Sequence, residues 1–100
     1  MILKQRWSKV YESSEEELLE HLVVRGVTAD RVNLSEFETA SYDASEQRLK
    51  LWCAEGSATL KTQEQSLSMQ PGDTFTLPAN VKYSIDAGIA GCGYYRAIDR

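Results

Sequence analysis

The stretch that decides the fold is QPGDTFTLPANVKY, which runs from Gln70 to Tyr83. Its first proline fixes φ at the second position of a β-turn, and the next glycine supplies the positive φ of a type II turn. A strand must start immediately afterwards, with Phe75 and Leu77 on one of its faces. Pro78 then ends the pairing because proline has no N–H to donate. A tight turn, a short strand and a second proline are typical of a corner in a small β-barrel.

The same alternation of apolar and polar residues continues on both sides of this stretch. Apolar residues occupy every second position in four further segments: Val32 and Leu34; Leu49, Leu51 and Cys53; Ala58 and Leu60; and Val81, Tyr83 and Ile85. Gly56 is predicted to turn the chain between two strands, and Gly88, Gly91 and Gly93 to separate off a last strand from Tyr94 to Ile98. Short strands with turn signals about every 8 to 12 residues indicate an antiparallel barrel or sandwich.

One helix is predicted ahead of these strands, from Glu15 to Arg25. Ser14 and Glu17 have the spacing of a capping box, and Gly26 stands where helices commonly end in the left-handed conformation. The residues of its apolar stripe, which we expect to pack on the barrel, are Leu18, Leu19, Leu22 and Val23.

The sequence therefore predicts an all-β fold, mainly an antiparallel β-barrel or jelly roll of two sheets, with one short N-terminal α-helix. We assign the 100 residues to a single domain, with an arm and helix over residues 1–26 and the barrel over residues 27–100. A chain of this length with 42% apolar residues supports one hydrophobic core.

Charge and composition exclude several classes of function. The net charge of −4 removes the positive surface that binding to nucleic acid or to an anionic membrane requires. No apolar run approaches the roughly 18 residues of a membrane-spanning helix, and the N-terminal apolar run is too short for a signal peptide. We therefore expect a cytoplasmic protein with no membrane and no nucleic acid among its partners. Cys53 and Cys92 are expected to be free, buried thiols and not a disulfide, although the position of Cys92 between glycines also allows a surface thiol.

Three segments also carry a resemblance to a known family. EGSATL (Glu55 to Leu60), LSMQPGD (Leu67 to Asp73) and LPAN (Leu77 to Asn80) resemble the core of small single-domain cupins. The second cupin motif has a glycine, five residues and a proline, which Gly72 and Pro78 match. The resemblance implies the cupin fold.

The positions that bind metal in cupins have all changed. Tyr83 stands where the second motif has its histidine, and Asn80 replaces the usual glycine before it. Counting back from the glycine of EGSATL places the two histidines of the first motif near Asp43 and Ser45, and its glutamate near Leu49. We therefore predict no bound metal and no other cofactor.

A small-molecule ligand, if there is one, is expected in the mouth of the barrel, the concave space that the resemblance implies. The polar groups there are predicted to come from Asp43, Ser45 and Tyr83. The apolar wall is predicted to come from Leu49, Leu51 and Phe75, which strand parity points to the same side. In this binding hypothesis none of the six has a catalytic role.

Three functions remain open from the sequence. The first, which we favour, is a metal-free module that binds a small molecule or a protein partner. The second is a metal-independent isomerase or epimerase acting on a small polar substrate, with Tyr42, Tyr83 and Glu36 as candidate acid–base residues. The third is a structural or accessory subunit whose barrel is filled by its own side chains.

A homodimer is the predicted assembly. A barrel of 100 residues buries a modest share of its surface, and exposed strand edges favour pairing with a second copy. Trp7 and Tyr11, the large side chains of the N-terminal arm, are the candidate contacts.

Overall fold

The structure, a computed structural model, describes residues 2–7 and 15–99. The elements in these ranges are β1 (Leu3–Arg6), α1 (Glu15–Val24), β2 (Asp30–Leu34), β3 (Thr39–Tyr42), β4 (Leu49–Lys61), β5 (Ser66–Met69), β6 (Asp73–Leu77) and β7 (Tyr83–Ile98). Every strand pair is antiparallel. The predicted fold class, an antiparallel two-sheet β-fold with one short helix, is confirmed.

The strands form one sheet that folds over into two layers. A five-stranded layer has the order β1-β6-β4-β7-β2, and β5-β4-β7-β3 makes a four-stranded layer. The first half of β4 pairs with β6 and its second half with β5, while β7 pairs first with β3 and then with β2. The two longest strands therefore belong to both layers.

Gly56 bends a strand and does not end one, so the predicted turn at this residue is wrong. β4 continues through it, with register shifts against β7 between Cys53 and Glu55 and between Gly56 and Ala58. Gly56 has a φ of 71°, and a Cβ built on it would lie 2.1 Å from the carbonyl oxygen of Gly91. The glycine thus permits a β-bulge and a close approach of two strands.

The last strand is longer than predicted. β7 runs from Tyr83 to Ile98 and includes Gly88, Gly91 and Gly93, the glycines predicted to precede a separate strand. Gly91 has a φ of 73°, so it bends the strand within its ladder. The prediction of a separate strand that starts at Tyr94 is wrong for this reason.

The main core lies between the two layers. Its fully buried side chains come from both of them: Leu51, Cys53, Phe75, Leu77 and Tyr94 from the five-stranded layer, and Leu60, Met69 and Ile85 from the four-stranded layer. The inward positions that strand parity predicts on β4 and β6 are all buried here. A second, smaller cluster lies on the outer face, where α1 covers Trp52 and Tyr95.

The helix ends in the glycine cap that its sequence predicts. The Gly26 N–H donates to the Val23 carbonyl oxygen at 3.0 Å, and the Val27 N–H donates to the Leu22 carbonyl oxygen at 2.9 Å. Gly26 has a φ of 68°, which completes a Schellman motif. The helix ends one residue before the predicted Arg25, at Val24.

The buried face of α1 is narrower than the predicted stripe. Leu18 and Leu22 pack against the second cluster, whereas Leu19 and Val23 are exposed. Ser14 lies outside the described residues, so its capping role stays a prediction. Within the ranges that the structure describes, no helix has the length and apolar character that crossing a membrane requires.

The N-terminal arm is an edge strand. β1 pairs with β6, and Trp7 packs against the second cluster and donates its Nε1–H to the Cys53 carbonyl oxygen at 3.3 Å. Tyr11 lies outside the described residues. The homodimer stays a prediction, and in this chain Trp7 contacts its own sheet.

Cys53 and Cys92 are both buried and both free, as predicted. They lie on β4 and β7. The neighbouring Cys92 side chain, followed by burial, raises the pKa of Cys53 far above the usual value of a thiol. Neither group is placed to react with reagents in solution.

We expect both thiols to be slow to react in the folded protein. Iodoacetamide at neutral pH should modify them about 100-fold or more slowly than in urea, because alkylation requires a thiolate that only opening of the fold exposes. Intact-mass spectrometry over time measures both rates. Rapid addition of one carbamidomethyl group to folded protein would contradict the burial of that cysteine.

Candidate functional site

Two loops meet at one end of the fold, which we call the mouth. Residues 43–48 join β3 to β4, and residues 78–82 join β6 to β7. The Asn80 N–H donates to the Ser45 carbonyl oxygen at 2.6 Å and ties the loops together. Asn80 has a φ of 64°, a conformation that asparagine adopts more readily than most residues other than glycine. This explains how it replaces the glycine of the resembled motif.

Three tyrosines and an arginine form a hydrogen-bonded group between the layers, which we call the tyrosine–arginine cluster. Tyr42 and Tyr83 come from the four-stranded layer, and Tyr94 and Arg96 come from the five-stranded layer. The hydroxyls of Tyr42 and Tyr94 lie 2.5 Å apart, and Arg96 Nε donates to the Tyr83 hydroxyl at 2.9 Å. Each of these bonds connects one layer to the other.

Ring contacts complete the cluster. The rings of Tyr42 and Tyr83 are stacked with centroids 4.7 Å apart. The guanidinium carbon of Arg96 lies 5.0 Å from the centroid of the Tyr42 ring, within the range of a cation–π contact. The arginine side chain is therefore held in place by one tyrosine hydroxyl and one tyrosine ring.

Two phenols of this cluster, those of Tyr83 and Tyr94, are held in their protonated form. Burial raises the pKa of Tyr83, although Arg96 acts in the opposite direction. Burial, and then the hydrogen bond with Tyr42, raise the pKa of Tyr94. At neutral pH both groups can donate a hydrogen bond, and neither can serve as a base.

The cluster occupies only one of the hydrogen-bond donors of Arg96. Its Nε–H is bonded to Tyr83, but a guanidinium carries five N–H donors. Within residues 2–7 and 15–99, its terminal nitrogens have no hydrogen-bond partner and form no salt bridge. The half-buried arginine therefore has donors available for a further group.

A cavity of about 660 Å³ lies where β4 begins and β7 ends, and Arg96 is part of its wall. We call it the strand-end cavity. The polar residues that line it are Arg25, Thr28, Asp30, Ser45, Gln47, Lys50, Arg96 and Asp99. Its volume is typical of small-molecule sites, which occupy roughly 300 to 1,000 Å³.

The predicted site residues are divided among different places. Ser45 and Leu49 line the strand-end cavity. Asp43 and Tyr83 line a separate groove of about 330 Å³. The four residues are thus close to the mouth, but the structure does not gather them around one cavity.

The predicted apolar wall is part of the packed interior. Leu51 and Phe75 are fully buried and line neither the cavity nor the groove, because side chains from both layers fill the space between them. Of the candidate acid–base residues, Tyr42 lies in the cluster, whereas Glu36 is exposed on the turn between β2 and β3. A ligand-binding role for these residues stays a prediction.

Sequence reasoning missed Tyr94 and Arg96. Alternation places the two on the same side of β7, so an inward Tyr94 implies an inward Arg96. The sequence does not show which residues of β7 after Gly91 point inward, because the bulge at Gly91 shifts the alternation within the strand. An inward arginine also contradicts the usual expectation that charged residues stay exposed.

The metal site of the resembled cupins does not fit these residues. The four positions offer one carboxylate, Asp43, with Ser45, Leu49 and Tyr83 around it, and imidazole is the ligand that such sites need most. The single histidine, His21, lies on α1. The described part of the chain contains no group of three or more His, Cys, Asp or Glu residues arranged to hold a metal ion.

Residues 28–87, more than half of the chain, match the family described as the cupin domain of mannose-6-phosphate isomerase. The chain belongs to this cupin family. The matched region contains both loops of the mouth and ends before Tyr94 and Arg96. No curated protein matches the sequence.

Solved structures show the same fold at low sequence identity. A DUF861 family protein from Thermotoga maritima is 12% identical, and the match has a TM-score of 0.66 and covers 99% of this chain and 100% of that one. A cupin superfamily protein from Desulfitobacterium hafniense is 14% identical, and the match has a TM-score of 0.63 and covers 99% of this chain and 79% of that one. A cupin-2 domain protein from Shewanella frigidimarina is 15% identical, and the match has a TM-score of 0.61 and covers 96% of this chain and 83% of that one. At these identities the likeness concerns the fold alone.

Proposed function

We propose that this cupin is a metal-free binding module that holds one small polar molecule in the strand-end cavity. The observation that carries the proposal is a cavity of about 660 Å³ with a polar wall, beside a core that the chain's own side chains fill. Ligand sites are concave and contain a few polar groups that fix the ligand's orientation. We therefore propose the strand ends, and not the space between the layers, as the position of the ligand.

The residues of the cavity wall are partly fixed before a ligand arrives. The Ser45 hydroxyl accepts a hydrogen bond from the Gln47 N–H at 3.2 Å and retains its own proton for a ligand. The bond from Asn80 holds the same loop through its backbone. A wall that is already ordered loses less conformational entropy on binding, which favours affinity.

A metal-independent isomerase is the second candidate, because the matched family is described by an isomerase. Isomerisation of a sugar needs a base that removes a proton from carbon. The phenols of Tyr83 and Tyr94, whose pKa values are raised, do not provide one. Asp99 is paired with Arg48 at 3.6 Å, so Asp30 is the carboxylate of the wall that would have to act. A module that only binds its ligand requires no such base.

We expect at least one small polar molecule to stabilise the protein in a thermal-shift screen. The panel contains neutral hexoses, hexose phosphates, amino acids and dicarboxylic acids. A ligand at 100 times its Kd adds about 2.7 kcal/mol to the free energy of unfolding, which raises the midpoint of a domain this size by roughly 10 °C or more. Titration calorimetry then gives the Kd of each hit.

Two tryptophan variants locate the site. Gln47→Trp places a large side chain in the cavity and should abolish the shift, whereas Gln5→Trp, on the exposed face of β1, should leave it unchanged.

Elemental analysis of untagged protein checks for metal, and about one equivalent per chain would contradict the metal-free assignment. If no compound stabilises the protein, or Gln47→Trp retains the response, the proposal is wrong. Turnover of a hit, followed by NMR, would favour the isomerase.

A further inference from the structure

We infer that the ligand of the strand-end cavity is an oxyanion, a small molecule with a carboxylate or phosphate group, and that Arg96 binds this group. The inference rests on the proposed function and adds to it the charge of the ligand and the residue that recognises it. Two features of the described residues support it, the geometry of Arg96 and the charges of the cavity wall, and the position of Asp30 supplies a test.

The geometry of Arg96 is that of a prepared anion-binding side chain. Its Nε–H donates to Tyr83 at 2.9 Å, and its guanidinium lies over the ring of Tyr42. These two contacts fix the plane of the guanidinium while its terminal nitrogens stay without a partner among the described residues. Planar guanidinium groups bind carboxylate and phosphate through two parallel N–H bonds. An oxyanion is the ligand group that matches these donors.

The charges of the cavity wall favour the same group. Three cations line it, Arg25, Lys50 and Arg96, against the carboxylates of Asp30 and Asp99. Asp99 is already paired with Arg48 at 3.6 Å, so the wall has an excess of about two positive charges. The whole chain has a net charge of −4. A positive concave wall on a negative protein concentrates anions at that place.

Among the described residues, Asp30 is the negatively charged group of the wall that has no ion-pair partner. It stands directly opposite Arg96 in the register of β2 and β7, yet the two side chains form no salt bridge in the described structure. Arg96 is thus not neutralised by its nearest strand partner. Removal of the Asp30 charge should therefore strengthen anion binding, in the opposite direction to removal of Arg96.

Titration calorimetry with inorganic phosphate, succinate and mannose tests the inference, since the first two distinguish phosphate from carboxylate and the third is neutral. For the better of the two anions, Arg96→Gln should weaken binding about 10- to 100-fold, the effect of losing a hydrogen bond to a charged group. Asp30→Asn should strengthen binding up to about fivefold, as expected for one exposed charge. Lys4→Gln, which removes a positive charge on β1 outside the cavity, should leave the affinity unchanged.

A second variant tests the inference even if the loss of Arg96 disturbs the structure of the cluster. Arg25→Gln changes an exposed cavity residue that is not part of the tyrosine–arginine cluster, and it should weaken anion binding up to about fivefold. Far-UV circular dichroism and the thermal midpoint establish that each variant is folded. Added sodium chloride should weaken binding in the wild type, because screening acts on exposed charges.

The outcomes separate this inference from the proposed function. Anion binding that is lost with Arg96 and strengthened by Asp30→Asn supports both. Binding of mannose that Gln47→Trp blocks and Arg96→Gln leaves unchanged would overturn the inference and leave the proposed function standing. Anion binding that neither arginine variant weakens would also overturn the inference. If none of the three probes nor any compound of the screen binds, the proposed function fails together with it.

Discussion

Replacement of Gly56 by alanine is expected to lower the free energy of unfolding by about 2 to 5 kcal/mol. Two costs add: the left-handed conformation costs a residue with a Cβ about 1 to 2 kcal/mol, and overpacking costs about 1 to 3 kcal/mol. The second cost arises because the new Cβ would lie 2.1 Å from the carbonyl oxygen of Gly91. Backbone atoms on both sides leave little room for adjustment. Urea unfolding at 25 °C, followed by circular dichroism, measures the change.

Gly26 provides a matched control for this experiment. It has nearly the same φ, 68° against 71°, but a Cβ built on it meets no atom within 4 Å. Gly26→Ala should therefore show the conformational cost alone, about 1 to 2 kcal/mol. Equal losses for the two variants would show that β4 and β7 do not approach each other closely at Gly56.

Replacement of Leu18 by alanine is expected to lower the free energy of unfolding by about 2 to 5 kcal/mol. Leu18 is fully buried and packs with Trp52 and Tyr95 beneath α1. Truncation of its side chain removes apolar contacts and leaves a cavity that the rigid sheet cannot close. The same urea unfolding experiment measures this loss.

Leu19 is the matched control for Leu18. It is the adjacent residue in the same helix and is 42% exposed, so Leu19→Ala should change the stability by no more than about 0.5 kcal/mol. A Leu18→Ala loss as small as this would mean that α1 does not cover the outer face of the sheet.

The parts of the fold that local chemistry determines could be predicted from the sequence. The Asp73 N–H donates to the Gln70 carbonyl oxygen at 3.0 Å, and Gly72 has a φ of 99°, as the turn prediction requires. Strand parity likewise gave the buried face of β4. A glycine with positive φ serves a turn and a bulge equally well, so Gly56 and Gly91 could not be assigned without knowing how their strands pair. That pairing joins residues far apart in the chain.

The candidate site was less predictable than the fold. A motif position predicts Tyr83 as an inward polar residue, and Tyr83 does lie in the cluster. Strand parity predicts Leu51 and Phe75 on the inward side, but whether such residues line a cavity depends on the summed volume of side chains from both layers. Arg96 carries no motif at all. Its importance follows from what it contacts, and a single sequence does not contain that information.

The sharing of β4 and β7 by both layers also has a consequence for how the chain reaches its folded state. Leu49 pairs with Ile98 and Lys61 pairs with Ser84, so this ladder closes long loops, and the entropy of closure must be lost before either layer is complete. Such topologies fold slowly compared with helical proteins of the same size. Since neither layer has its full set of strands without the shared pair, the two layers should form and melt as one cooperative unit. A nick in the tip between β4 and β5 would not release either of them as an independent module.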